Sequence, residues 1–206
     1  MSPPPVVAVI PLKSIATSKT RMAASLSPRD RALLLRRTFD RVVLAAKSAS
    51  SVAQVVVVAG DGVGRGWADD HGLEVIGDPG RGLNAALGRA DEQLGARPTM
   101  VLPADLPLVT GEDLDRLCAA VPAAPGIAVA PTADGGTGGL VRAPGGVIAP
   151  CFGRESAAAH AAEARRVRVA CTTVLIPGLA LDLDRPEDIE LAGGWSAVTG
   201  ARSLPT

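Results

Sequence analysis

Short apolar runs alternate along the chain with longer stretches rich in alanine, leucine and charged residues. The apolar runs predict strands, because continuous runs of about four to eight β-branched residues are typical of strands that are covered on both faces. The predicted strands cover residues 6–11, 54–59, 73–76, 99–102, 127–130 and 168–175. The stretches between them predict helices over residues 28–47, 82–94 and 154–165, and two more beginning after residue 110 and near residue 186.

This alternation predicts an α/β fold with a mostly parallel sheet and helices on both of its faces. A length of 206 residues fits a single domain. The pattern breaks at residues 131–149, which are rich in glycine, and there we expect a loop or a small hairpin within the domain.

Composition and charge narrow the function classes. The chain is 47% apolar with a formal net charge of +0 and no run of lysine or arginine, which argues against a nucleic-acid partner. No apolar run reaches the roughly 18 residues that a membrane span needs. The three cysteines, Cys118, Cys151 and Cys171, lie far apart, which favours reduced thiols and a cytoplasmic location.

Ligands of such sheets bind outside the carboxyl ends of the strands, so the residues that follow the strands carry the candidate chemistry. The loop after the first strand contains Lys13, Lys19 and Arg21, whose positive charges suit a polyphosphate, although basic surface loops are common. After the third strand, Gly82 allows a ligand to approach the backbone, and Asn84 offers a donor and an acceptor that suit a purine edge. An ordinary helix start explains this turn equally well.

Acidic residues follow two other segments. Asp105 comes directly after the fourth strand, and Asp182 and Asp184 stand on either side of one residue near the end of the chain. We expect one carboxylate from each segment to meet at Mg²⁺, which takes few protein ligands in phosphate chemistry. Taken alone, each segment is better explained by a helix cap or a surface acid, and it is their combination with the cationic loop at the same sheet edge that favours the metal site.

A neutral pocket for an anion is predicted where the glycine-rich segment meets the helix over residues 154–165. Thr137, the amide of Gly153 and Ser156 are its candidate residues, because the unpaired amides of a helix start attract anions. His160 lies one turn beyond Ser156 and is placed to reach the same anion. A flexible glycine loop followed by an ordinary helix is the alternative.

Six segments, in this order, resemble the guanylyltransferases of coenzyme F-420 biosynthesis, the CofC and FbiD proteins. They are PLK…SKTR, GRGLNAAL, PADLPL, DGGTGG, FGRESAAAH and LDLDRPEDI, and with the strand before the first of them the resemblance covers essentially residues 6–192. The resemblance implies a Rossmann-like nucleotidyltransferase fold of the GT-A type, a three-layer sandwich. It also implies transfer of GMP from GTP to phosphoenolpyruvate, 2-phospho-L-lactate or 3-phosphoglycerate, with release of pyrophosphate.

The resemblance also implies roles for individual residues. Asp105 and Asp184, with Asp182 as a further candidate, become ligands of Mg²⁺. The remaining roles fall to three groups: triphosphate contacts at Lys13, Lys19 and Arg21, guanine recognition at Gly82, Leu83 and Asn84, and the acceptor phosphate at Thr137, Gly153 and Ser156. The two residues before Asp105 are proline and alanine, so a metal site with two acids in that loop is not available here.

Other functions remain open at this point. A molybdopterin guanylyltransferase or a sugar-phosphate enzyme is disfavoured by the lack of a glycine-rich loop near the amino terminus, and a nucleotide-binding protein without activity is a third alternative. The alanine, glycine, arginine and proline bias favours phosphoenolpyruvate by association with GC-rich genomes. A downstream transferase is the expected recipient of the product, and the residues leave open whether the protein is a homo-oligomer.

Overall fold

The computed structural model describes residues 5–12, 22 and 25–201. Within them a seven-stranded sheet has the order β3-β2-β1-β4-β6-β5-β7. Its strands are β1 (Val6–Leu12), β2 (Val52–Ala59), β3 (Glu74–Gly77), β4 (Thr99–Val101), β5 (Gly126–Pro131), β6 (Thr137–Ala143) and β7 (Ala170–Thr173). All described pairings are parallel except those of β6, which runs antiparallel to both β4 and β5. The predicted mostly parallel sheet is confirmed.

Helices connect the strands, as the alternation predicts. They are α1 (Pro28–Ser48), α2 (Gly62–Asp70), α3 (Leu83–Leu94), α4 (Gly111–Ala119), α5 (Ser156–Arg166), α6 (Pro186–Leu191) and α7 (Trp195–Thr199). None of the helices in the described part of the chain is both long and apolar enough to cross a membrane. The three cysteines are free thiols.

Local capping explains where the helices begin. The Ser27 hydroxyl accepts the backbone N–H of Asp30 at 3.2 Å, and Pro28 fills the first turn, where its missing N–H costs nothing. Thr110 and Asp113 form a reciprocal capping box at the start of α4. Helix α2 is absent from the sequence-based prediction, because its three glycines hide its helical propensity. The Asp61 side chain nevertheless caps it by accepting the N–H of Gly64 at 2.7 Å.

The strands alternate their side chains between two cores, one on each face of the sheet. Ala8 and Ile10 of β1 face a core that α1 and α4 cover, whereas Val7 and Val9 face a core that α3 and α5 cover. Burial on both faces is what the continuous apolar pattern of β1 predicts. The result is a three-layer arrangement with the sheet in the middle.

The glycine-rich segment is more regular than the prediction for residues 131–149. Residues 137–143 form strand β6, a buried member of the main sheet, and only the turn over residues 132–136 and the stretch beyond residue 143 are irregular. The glycines are required by close packing. A Cβ at Gly138 would collide with the carbonyl oxygen of Leu179, and one at Gly139 would lie 2.5 Å from a methyl carbon of Leu117.

A third apolar cluster holds the end of the described chain against α1. Leu34 of α1 packs there with Leu183, Ile189 of α6 and Trp195 of α7. Leu183 is fully buried, and its immediate neighbours in sequence are the two acids Asp182 and Asp184. The segment that carries these acids is therefore anchored by packing.

Candidate functional site

Several candidate residues lie at one edge of the sheet. Strands β4 and β5 end at this edge, and β6 begins there because it runs in the opposite direction, with Thr137 paired to Pro131 and Leu140 paired to Val101. Asp105 follows β4 by only a few residues. The start of β6 therefore brings Thr137 to the edge where the neighbouring strands end, which is the usual place for a ligand in such a sheet.

Three carboxylates meet beside β4. One oxygen from each of Asp105, Asp182 and Asp184 lies within 4.8 Å of the other two, and all three side chains are partly buried. The backbone fixes this arrangement, because the N–H of Leu183 donates to the carbonyl oxygen of Asp105 at 3.2 Å. Residues 77 positions apart thus share one cluster.

The expectation that only one acid of the residue 182–184 pair would join Asp105 is wrong. In an extended segment, residues two apart project to the same side, and the residue between them projects to the other. Leu183 is buried in the third apolar cluster, and both Asp182 and Asp184 belong to the acidic cluster with Asp105. Asp188 of α6 also accepts the N–H of Asp184 at 2.9 Å, which holds this segment in place.

The donor set of this cluster fits a hard divalent cation. Mg²⁺ binds carboxylate oxygens and commonly takes one or two of them, leaving room for water and substrate phosphates. The three oxygens of the cluster are close enough for two or all three to share one ion. The structure thus brings together the residues that the resemblance suggests as metal ligands.

A second polar group forms where β6 meets α5. The hydroxyl oxygens of Thr137 and Ser156 lie 2.9 Å apart, and both side chains are buried. Nδ1 of His160 lies 3.2 Å from the Thr137 hydroxyl, and Nε2 of the same ring accepts the backbone N–H of Cys151 at 3.0 Å. We refer to Thr137, Ser156 and His160 as the hydroxyl–histidine group.

His160 is uncharged at neutral pH. Burial, together with the nearby positive charge of Arg142, lowers the pKa of His160 to about 4, although a hydrogen bond to the backbone of Ser156 acts in the opposite direction. The ring is fully inaccessible to solvent and packs edge-on against Phe152, with ring centroids 4.8 Å apart. The ring therefore offers no positive charge to an anion. We had expected His160 to reach the anion directly, but it contacts Thr137 instead.

The start of α5 differs in detail from the prediction. The helix begins at Ser156, two residues later than expected, after Glu155 in a left-handed conformation with φ of 52°. Gly153 precedes it with φ of +144°, a value that side chains other than glycine rarely adopt. The first-turn amide of Ala157 already donates to the carbonyl oxygen of Gly135 at 3.3 Å, so only part of this helix start is left for an anion.

Comparison with known proteins places the chain in a family, by a match whose range includes both groups of residues. The family model described as "Guanylyl transferase CofC like" matches residues 6–192. This chain belongs to the CofC-like guanylyl transferase family.

Two named relatives of this family member differ in the acceptor that their names give. It is 38% identical over 202 residues to the phosphoenolpyruvate guanylyltransferase of Sphaerobacter thermophilus, and the match covers 96% of each chain. It is 34% identical over 195 residues to the 3-phospho-D-glycerate guanylyltransferase of Phenylobacterium zucineum, covering 91% of this chain and 89% of that one.

The fold comparison agrees with the predicted nucleotidyltransferase architecture. A crystal structure from Desulfovibrio desulfuricans G20, provisionally described as a nucleotide-diphospho-sugar transferase, superimposes with a TM-score of 0.74 at 15% identity. The match covers 90% of this CofC-like chain and 85% of the other. At this level of identity the likeness concerns the fold alone.

In this CofC-like protein, Asn84 has a different setting from the one we expected. Its amide nitrogen donates to the carbonyl oxygen of Phe152 at 3.0 Å, and its amide oxygen accepts the N–H of Phe152 at 2.8 Å. The side chain thus holds the backbone just before Gly153, while Gly82 and Leu83 form the start of α3. The edge of Asn84 that we assigned to a purine is occupied by the protein's own backbone.

The cations assigned to the triphosphate, Lys13, Lys19 and Arg21, lie outside the described residues. Their assignment stays a prediction. Strand β1 ends at Leu12 and leads into that segment. It pairs with β4, the strand that leads to Asp105.

Two backbone contacts at the site were not predicted from the sequence. The N–H of Cys151 donates to His160, and the N–H of Phe152 donates to Asn84. A backbone amide carries no sequence signal, so the pairing of residues 68 positions apart is visible only in the fold. The sequence offered one clue to the contact that His160 makes. His160 is the fourth residue after Ser156, and residues at this spacing share a helix face.

Proposed function

We propose that this chain transfers GMP from GTP to phosphoenolpyruvate and releases pyrophosphate, as a step of coenzyme F-420 biosynthesis. The proposal rests on one observation: a member of the CofC-like family contains both the acidic cluster and the hydroxyl–histidine group. The first offers ligands to a cation, and the second offers neutral hydrogen-bond donors to a phosphate. Two relatives named for guanylyl transfer to three-carbon phosphates support the same reaction class.

The reaction needs one nucleophile and one leaving group. A phosphate oxygen of the acceptor forms a bond to the α-phosphorus of GTP, and the bond from that phosphorus to the β-bridging oxygen breaks, so pyrophosphate leaves with the electron pair. A phosphate monoester carries about 1.5 to 2 negative charges near neutral pH. The nucleophile is therefore already ionised, and no side chain has to remove a proton from it.

His160 is accordingly not assigned as a general base. Its Nε2 accepts the N–H of Cys151, and its ring has a pKa lowered to about 4 by burial and by the charge of Arg142. Such a ring is a poor proton acceptor at neutral pH. This agrees with a reaction in which the acceptor's own charge supplies the nucleophile.

The principal barrier is the approach of two polyanions. Two like charges about 4 Å apart repel each other by roughly 4 kcal/mol at an effective dielectric constant near 20. Asp105, with Asp184 and Asp182, would hold Mg²⁺, which when bound offsets the charge of the nucleotide phosphates and helps to order the reacting oxygens. We further propose that Lys13, Lys19 and Arg21 stabilise the departing pyrophosphate.

The remaining residues orient the two substrates. The Thr137–Ser156 hydroxyl pair, with the backbone at Gly153, binds the acceptor's phosphate by hydrogen bonds. The turn at Gly82 and Leu83 receives the guanine, and Asn84 contributes indirectly, by fixing the backbone of Phe152. Orientation of this kind can supply a large part of the rate acceleration.

The acceptor is proposed from the relative that matches over more of the chain, a phosphoenolpyruvate enzyme at 38% identity. The 3-phospho-D-glycerate enzyme at 34% identity makes that compound the second candidate. The cytoplasmic location, a homo-oligomeric state and a downstream transferase stay predictions.

The test is an assay of the purified protein with GTP, MgCl₂ and one acceptor at a time. The acceptors are phosphoenolpyruvate, 3-phospho-D-glycerate and 2-phospho-L-lactate, with pyrophosphate release followed continuously and each product identified by its mass. We expect phosphoenolpyruvate to give the highest kcat/KM. A preference for another acceptor would refute the acceptor assignment, and the absence of turnover with all three would refute guanylyl transfer to three-carbon phosphates. ATP in place of GTP controls for the base.

A further inference from the structure

The two nitrogens of His160 are in different environments. Nε2 faces the backbone N–H of Cys151, which can only donate, so this nitrogen must carry a lone pair. In a neutral imidazole the other nitrogen then carries the hydrogen. Nδ1–H consequently points toward the Thr137 hydroxyl, 3.2 Å away, and also donates to the backbone of Ser156; in neither contact can it accept a hydrogen.

This tautomer determines how the two neighbouring hydroxyls can be arranged. Nδ1–H, the Thr137 O–H and the Ser156 O–H are three donors, and they are connected by two internal contacts, His160 to Thr137 and Thr137 to Ser156. Two of the three hydrogens satisfy these contacts, so one hydroxyl hydrogen is left over. With the opposite tautomer, Thr137 would donate to Nδ1 and Ser156 would donate to Thr137, and no hydrogen would be left over.

The surroundings keep this arrangement in place. His160 is fully buried, and Ser156 and Thr137 are 1% and 5% exposed, so water does not compete freely for their hydrogen bonds. The N–H that selects the tautomer belongs to Cys151, and the next residue, Phe152, is held by Asn84 through two hydrogen bonds and packs against the ring of His160. The donor to Nε2 is therefore held on a fixed stretch of backbone.

We propose that His160 is a positioning residue that acts through its tautomer, leaving one hydroxyl of the Thr137–Ser156 pair free to donate a hydrogen bond to the acceptor's phosphate. This inference rests on the proposed function, because it assigns the leftover hydrogen to the acceptor. It assigns to His160 neither charge nor proton transfer. The residue acts on acceptor binding through Thr137.

The first test is a double-mutant cycle of His160→Leu and Thr137→Val, with KM for phosphoenolpyruvate, KM for GTP and kcat measured for all four proteins. We expect His160→Leu alone to raise the acceptor KM about five-fold, because Thr137 loses the hydrogen bond that orients its hydroxyl, and to leave the KM for GTP unchanged. In the Thr137→Val background, where the hydroxyl is already absent, His160→Leu should have little further effect. Additive effects in the cycle, or equal rises in both KM values, would overturn the inference.

A conservative variant separates positioning from packing. His160→Asn keeps a side-chain N–H that can donate to Thr137, and we expect it to bring the acceptor KM back toward that of the wild type, whereas His160→Leu does not. Thermal unfolding of each variant identifies any that fails to fold. If His160→Asn and His160→Leu raise the acceptor KM equally while both remain folded, the hydrogen bond is not what matters and the proposal is wrong.

The tautomer can be observed in the wild-type protein, in which His160 and its neighbours are unchanged, and a variant is needed only to assign the spectrum. The chain has two histidines, so a His71→Gln sample assigns the two rings in a ¹⁵N NMR spectrum. For His160 between about pH 6 and 8 we expect a protonated Nδ1 and an unprotonated Nε2; the reverse pattern would overturn the inference.

The outcomes distinguish failure of this inference from failure of the proposed function. If the wild-type protein turns over and the effects in the double-mutant cycle are additive, only the role of His160 is refuted. No turnover with any acceptor refutes the proposed function and this assignment of the leftover hydrogen, while the NMR result still reports the tautomer.

Discussion

At the scale of single residues, the candidate site depends on how neighbouring side chains are directed. Leu183 is buried, and the acids on either side of it, Asp182 and Asp184, lie with Asp105 in one cluster. One apolar residue between two acids thus places two carboxylates beside a third from a different part of the chain. The proposed metal-ligating role of these acids is open to a direct test.

Asp105→Asn removes one charge from the acidic cluster with almost no change in size. We expect kcat/KM to fall more than about 100-fold, because even outer-shell partners of metal ligands cost 10- to 100-fold. The MgCl₂ concentration needed for half-maximal activity should rise. Asp69→Asn, an exposed acid on α2, is the matched control and should behave as the wild type. Near-normal activity of Asp105→Asn at low MgCl₂ would contradict the assignment.

Glu155 adopts a left-handed conformation immediately before Ser156, with φ of 52°. This region is unfavourable for residues with a Cβ, whereas glycine adopts it readily. We therefore expect Glu155→Gly to raise the free energy of unfolding by about 1 kcal/mol. Ala162→Gly, at an exposed position inside α5, should instead lower it by about 1 kcal/mol. Urea unfolding measures both, and equal losses in the two variants would argue that Glu155 is not strained.

At the scale of elements, one aspartate connects α4 to the turn between α1 and β2. Asp115 accepts hydrogen bonds from the backbone N–H and the hydroxyl of both Ser50 and Ser51, at distances of 2.6 to 3.1 Å. Burial alone would raise the pKa of Asp115, but these hydrogen bonds together lower it below its usual value. The ionised form is thus favoured by folding.

The pH dependence of this contact follows from the lowered pKa of Asp115. A carboxyl with a lowered pKa in the folded state stabilises the protein above its ordinary pKa near 3.8, and the stabilisation is lost as the pH falls through the lower, folded-state value. We expect Asp115→Asn to lower the free energy of unfolding by about 1 kcal/mol at pH 7. The difference from the wild type should shrink below about pH 4. Urea unfolding at several pH values measures it, and a difference independent of pH would contradict the assignment.

The sequence predicts the elements that carry a strong local pattern and misses those set by contacts between distant parts of the chain. The continuous apolar run of β1 and the serine–proline start of α1 are both found where they were expected. Strand β6 was missed because its glycines look like a loop, whereas they are there to admit Leu179 and Leu117. For the site, the residue types were predictable, but the pairing of Asn84 with Phe152 was not, since one partner is backbone.

At the scale of the whole molecule, an ion pair with a buried arginine joins strand β6 to helix α3. Arg142 of β6 is 1% exposed and forms a two-pronged contact with Asp91 of α3, the helix that follows β3. It also donates to the carbonyl oxygen of Ile148 at 3.2 Å. The strands on the two sides of β4 are therefore connected by charge as well as by packing.

Removing one member of such a pair leaves a buried charge without its partner. We expect Asp91→Ala to lower the free energy of unfolding by about 3 kcal/mol. The double variant Asp91→Leu with Arg142→Met replaces the pair by apolar side chains of similar size and should be nearer to the wild type than Asp91→Ala. Chemical denaturation at neutral pH compares the three proteins. A double variant that is less stable than Asp91→Ala would show that the pair itself is indispensable.

The reversed direction of β6 limits how the acceptor preference of this chain can be changed. Its first residue, Thr137, borders the site, but the next two positions are glycines with no room for a side chain. Larger residues cannot be introduced there without displacing Leu179 or Leu117. An engineer seeking a different three-carbon substrate would therefore have to redesign Thr137 and the beginning of α5, and leave the rest of the strand as it is.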